Sequence, residues 1–175
     1  SSVRIDLLAS YSELSQLATR LVSTLPPSPG DEAFRNFSWR ALLAVCTALT
    51  LMNERITIVK IRAWIAKDFS HLVKAACFSY FEAINANKKK FDHIRSIPDF
   101  RECADECVNF YHQELAEDYS SRELENLFGF YSTDQKFMQK LIQNIVPILE
   151  QLCAPPLDRL LSPEMDDDPR PIVSL

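Results

Sequence analysis

The sequence predicts an all-α protein, a single-domain bundle of about six or seven helices over residues 1–153 with an extended or disordered Pro-rich, acidic tail over 154–175. Three observations predict it. Gly30 and Gly129 are the two glycines of the chain, and proline falls mostly in the gaps between apolar runs. Apolar residues recur at helical steps through most of the sequence. The run Ala41 to Met52 is apolar nearly all round, the pattern of a central helix covered on several sides. With 175 residues, 47% of them hydrophobic, the chain can bury a core without metal or disulfide staples.

Taken in order, Leu7, Leu8, Tyr11, Leu14, Ala18, Leu21 and Val22 form one stripe of a helix running roughly from Ile5 to Thr24. Pro26-Pro27-Ser28-Pro29-Gly30 stops it and forms a linker. A second helix spans about Asp31 to Met52. Arg55 to Ile65 mixes strand-prone β-branched residues with helical spacing and is read as helix. Ser70 to Asn85 is the fourth, and Lys88-Lys89-Lys90 read as cations at its C-terminal end. After a loop through Ile97-Pro98, Phe100 to Tyr119 forms a helix with Cys103, Cys107, Phe110, Tyr111 and Leu115 on one side. Ser120 with Glu123, and Ser132 with Gln135, have capping-box spacing and specify two further starts. Gly129 shortens the first of these helices. Thr133 to about Cys153 forms the second, with a stripe of Phe137, Leu141, Ile145 and Ile148 and a kink expected at Pro147.

Composition excludes several function classes. Two isolated glycines cannot build a phosphate-cradling loop or a dinucleotide-binding turn, where backbone amides must approach phosphate closely. A net charge of −5 disfavours general attraction to nucleic acid or anionic lipid. No window reaches the roughly 18 apolar residues of a membrane span. The chain opens on Ser1 rather than Met, compatible with a trimmed boundary or with an exported protein whose leader has been removed. Cys46, Cys77, Cys103, Cys107 and Cys153 match no disulfide framework and by themselves favour a reducing compartment, or one or two bridges with a thiol left over.

Reactive constellations are sparse. Cys103 and Cys107 share a helix face with His112 about a turn beyond, but a tetrahedral zinc site needs further ligands, and the other histidines are His71 and His93. We read the two cysteines as small apolar residues of a helix interface, with an oxidised bridge as the alternative in an exported protein. Glu114, Glu117 and Asp118 read as solvated charge. Lys88, Lys89, Lys90, His93 and Arg95 form a basic stretch, and Arg55 to Val73 could be a small helix-turn-helix with Lys60, Arg62 and Lys67 facing DNA; charge at helix ends is the preferred reading of both. No catalytic residue, metal ligand or cofactor is expected.

The segment Phe110 to Leu149 carries Tyr119-Ser120-Ser121 before Glu123-Leu124, then Leu127, Phe130-Tyr131-Ser132-Thr133 and a closing apolar helix. In this it resembles the C-terminal motif of the domain of unknown function 2059 family, with Asp134 where the family has Pro and Lys136 about where it has Gly. The opening helix, Ile5 to Leu21, is weakly similar as well. The resemblance implies a small, helical, exported bacterial protein and brings no catalytic residue. Phe130 and Tyr131 are expected to pack a corner, with a binding role for Tyr131 as the alternative. The resulting expectation is a non-enzymatic, periplasmic or secreted protein acting through protein or ligand binding. The alternative is a cytoplasmic helical interaction or DNA-associated module.

Overall fold

A computed structural model describes residues 4–5, 14–23, 32–132, 135–153 and 172–173. Among them are eight α-helices: α1 (Leu14–Ser23), α2 (Glu32–Leu51), α3 (Ile58–Ile65), α4 (Phe69–Ala83), α5 (Lys88–Arg95), α6 (Phe100–Phe110), α7 (Arg122–Tyr131) and α8 (Gln135–Cys153). The protein is an all-α bundle. A short parallel pairing joins β1 (Arg4–Ile5) to β2 (Ile172–Val173). Ile5, the expected start of the first helix, lies in β1 instead. The expected linker at residues 26–30 lies outside the described residues, as do 6–13 and 24 of the expected first helix and 154–171 and 174–175 of the expected tail.

Helix α2 is the hub, packing against α1, α3, α4, α7 and α8. Its nearly continuous apolar surface explains why: Ala41, Leu42, Val45, Cys46, Ala48 and Leu49 are all buried, and no single neighbour could cover them. Around it, the core continues through Ile58, Ile61 and Ile65 of α3 and Leu72, Val73, Ala76, Cys77 and Phe81 of α4. The ambiguous β-branched stretch becomes helix because Thr57 caps it, its hydroxyl accepting from the Lys60 N–H at 3.2 Å, and because its isoleucines at helical spacing all face the core.

Several expectations are corrected. The lysines at 88–90 do not end the fourth helix; they begin α5, an additional helix capped by Asn87. Asn85, at a φ of 52°, turns the chain between the two. Cations at a helix N-terminus oppose the helix dipole, so α5 forms on other terms: Phe91 and Ile94 are buried, and Lys90 pairs with Glu114. Second, the helix expected from 100 to 119 ends as α at Phe110 and continues as a π turn over Tyr111–Leu115. The Ala116 N–H reaches back to the Tyr111 carbonyl oxygen at 2.8 Å. Third, the cap of α7 is Ser121 rather than Ser120, because the buried Tyr111 hydroxyl accepts the Ser121 N–H at 2.8 Å and fixes that residue outside the helix. Ser132 closes α7 instead of starting α8, its hydroxyl donating to the Gly129 carbonyl oxygen at 3.1 Å. Gly129 lies inside α7 rather than shortening it.

Candidate functional site

The N-terminal ends of α4 and α6 meet beside the C-terminal end of α7. Asp68 caps α4, its Oδ1 accepting the Ser70 N–H at 2.9 Å, and Asp99 caps α6. Both starts therefore follow from the ordinary preference of short acidic side chains for orphan amides. Two residues past the second cap, Arg101 reaches across and donates from Nε (3.2 Å) and Nη2 (2.7 Å) to Asp68 Oδ2. On the next turn of α6, Asp105 Oδ1 accepts the Tyr131 hydroxyl at 2.9 Å. These two links tie α4 to α6 and α6 to α7 around a groove of about 900 Å³.

The floor of the groove is aromatic. Phe69, Phe128 and Phe130 line it, with Phe130 stacked between Phe37 (5.2 Å between ring centroids) and Phe69 (4.9 Å). Lys67, Asn109 and Gln139 stand at its polar margin. An apolar base with a few polar groups is the usual character of a small-ligand site, and the volume lies in the usual range of such sites.

Electrostatics fix the protonation of the rim. Burial alone would raise the Asp68 carboxyl, but hydrogen bonds from Ser70 and Arg101 outweigh it and bring the pKa down to about 2. Burial pushes the Tyr131 phenol well up, and the bond to Asp105 pushes it further. At neutral pH one is therefore ionised and the other protonated, and both serve as fixed hydrogen-bonding partners.

The cysteines lie elsewhere. Cys77 of α4 neighbours Cys103 and Cys107 of α6; all three are fully buried, as is Cys46 of α2. These four are free thiols. Burial raises Cys46 to about 12, and burial followed by the neighbouring Cys107 raises Cys103 to about 11. Raised thiols are poor nucleophiles and poor metal ligands. Among the described residues, no group of three or more His, Cys, Asp or Glu is placed to hold a metal ion. His112 turns to Glu125 (3.8 Å), and His71 stacks on Phe100 at 3.9 Å, so neither joins the cysteines.

The basic stretches are dispersed as well. Lys60 pairs with Glu54 (3.2 Å), Arg62 with Glu150 (3.1 Å), and Lys67 sits 4.8 Å over the Trp64 ring. Arg95 pairs with Glu82, and Lys89, Lys90 and His93 line a second groove of about 540 Å³ together with Glu106 and Glu114. No helix among the described residues is long and apolar enough to cross a membrane.

Sequence reasoning weighed Tyr131 but missed Asp68, Arg101 and Asp105. The usable signal was the cap: Asp68 and Asp99 both stand one residue before helices, and each places its neighbours at a helix end facing outward. No family model, curated protein or solved structure matches the chain.

Proposed function

We propose that the protein is a non-enzymatic binding module whose groove, at the junction of α4, α6 and α7, takes up the apolar part of a ligand. The aromatic floor of Phe69, Phe128 and Phe130 beneath a hydrogen-bonded rim carries this reading. Rim groups locked in one protonation state support recognition rather than proton transfer. The DNA-associated alternative draws less support, because Lys60, Arg62 and Lys67 each have a partner within the fold and form no common stripe.

On location, two arguments pull apart. The resemblance of residues 110–149 to the domain of unknown function 2059 family supports a periplasmic or secreted site. The odd number and irregular spacing of the five cysteines support a reducing compartment instead. Thiol counting on protein taken from its native source separates the two.

The binding reading is tested by amide NMR during titration with a neutral amphiphile, 1-decanol. Shifts are expected at residues 66–69, at Arg101, Asp105, Val108 and Asn109, and at residues 128–132, and Ile142→Trp, which crowds the edge of the groove, should remove them. Saturable shifts that map elsewhere, or none at all, would reject it.

A further inference from the structure

We infer that the ligand of this groove is an amphiphilic monoanion, an apolar body carrying one carboxylate, and that Arg101 reads its charge. The inference rests on the binding reading above and adds the chemistry of the head group.

It comes from asking which polar groups of the rim are already engaged. Asp68 uses both oxygens, Oδ1 on the Ser70 N–H and Oδ2 on two N–H groups of Arg101. Asp105 uses Oδ1 on Tyr131, whose hydroxyl hydrogen is thereby consumed. On the donor side, the Arg101 Nη1 group meets no acceptor among the described residues, and the Lys67 ammonium rests on the Trp64 face without a carboxylate. Among the described residues, the charged groups of the groove that remain open are the outer N–H groups of Arg101, with the Lys67 ammonium on the Trp64 face adding positive charge beside them, and, on the acceptor side, Asp105 Oδ2. A guanidinium held along one edge by Asp68 is fixed in orientation and presents its other N–H groups in a planar fork, the geometry that suits a carboxylate. Because Asp68 holds it beforehand, little side-chain freedom is lost on binding.

Charge sets the valence. Asp68 and Asp105 stand in the same groove, balanced by Lys67 and Arg101. A single negative charge on the ligand can be met by Arg101 and Lys67 together, whereas the second charge of a dianion such as a phosphate monoester would find no further Lys or Arg among the described lining and Asp105 nearby. The competing possibility is a cationic head group on the second oxygen of Asp105, with Arg101 and Lys67 opposing it.

Isothermal titration calorimetry at pH 7 and low salt with decanoate, 1-decanol and decylammonium compares three head groups on one apolar chain. The wild-type protein should bind decanoate about tenfold more tightly than 1-decanol, the scale of one charge-assisted contact, and decylammonium most weakly. Arg101→Gln, a change at an exposed side chain, should bring decanoate to the affinity of 1-decanol measured in the same variant. Equal affinity for decanoate and 1-decanol, or tightest binding of decylammonium, overturns the head-group inference and leaves the groove reading standing. A decanoate preference that survives Arg101→Gln overturns the assignment to Arg101. Failure of all three to bind overturns the groove reading and this inference with it.

Discussion

Helices α4 and α6 pack against each other, yet the two halves of their joint surface do opposite things. On one face, Asp68, Arg101 and Asp105 form a polar rim over an open groove. On the other, Cys77, Cys103, Cys107, Phe81 and Phe110 form a closed seam with essentially no access to water. The difference lies in which face of each helix meets the core. Orphan amides at the two starts call for short acidic caps, and once Asp68 and Asp99 are in place the polar side chains on the outward face must remain hydrated or pair. On the inward face, helical spacing brings Cys103, Cys107 and Phe110 of α6 against Cys77 and Phe81 of α4, and the seam is filled by apolar groups and thiols. Burial that closes the seam raises the Cys77 and Cys103 thiols, so the chemistry available to each half follows from the helix face that carries it.

Substitutions should expose this contrast, and the largest effect belongs to the seam. Phe81 is fully buried and stacks edge-on against Phe91 (5.6 Å) and Phe110 (5.2 Å). Phe81→Ala should cost about 3–5 kcal/mol, read from chemical denaturation. Arg101→Ala at the rim should cost under about 1 kcal/mol, because its pairing with Asp68 is exposed and screened. Similar losses at both sites would dissolve the distinction.

Titration gives the next effect, with opposite signs at the two ends. Thiol pKa values raised by burial mean that the unfolded chain releases protons before the native state does. Stability should therefore fall as pH rises above about 9 and continue falling toward the native values, about 11 for Cys103 and about 12 for Cys46. Tyr80, Tyr111 and Tyr131, also raised by burial, add to this alkaline limb. Asp68 acts in the other direction. Its lowered pKa contributes stability that is present above about pH 4 and is lost as pH falls toward about 2. Thermal melts across pH should show both limbs; Asp68→Asn should flatten the acid one, and Cys103→Ala the alkaline one.

Cys103 and Cys107 together sharpen the seam further. The double alanine variant should fold, with about 1–2 kcal/mol lost to packing and no metal released, as mass spectrometry of the native protein can check. Bound stoichiometric zinc would reverse the reading of the seam. The smallest effect lies outside both halves: Gly129 sits exposed in α7 with open space where a Cβ would go, so Gly129→Ala should stabilise by roughly 0.5–1 kcal/mol.

The seam was legible in the sequence and the groove was not. Cys103, Cys107, Phe110, Tyr111 and Leu115 keep one face over several turns, and that repetition is what periodicity detects; all five are buried. The long apolar run of α2 was equally plain, and its central place followed from having no polar face. Helix α5 was hidden because its eight residues carry a triple-lysine start and a strongly polar composition, so its two buried positions formed no visible stripe. The groove depends on pairings between residues far apart in the chain, Asp68 with Arg101 and Asp105 with Tyr131, which no local pattern encodes. The position of the α7 cap depended likewise on a distant partner, the Tyr111 hydroxyl.

Residue-resolved amide hydrogen exchange, with and without decanoate, tests the contrast between the two halves most directly. The account predicts that amides of residues 72–81 and of Cys103, Cys107 and Phe110 exchange through the highest-energy openings of the protein and do not respond to ligand, while decanoate slows exchange at residues 66–69 and 128–132. Fast exchange in the seam, or protection by decanoate spread through the seam and absent from the groove, would contradict it.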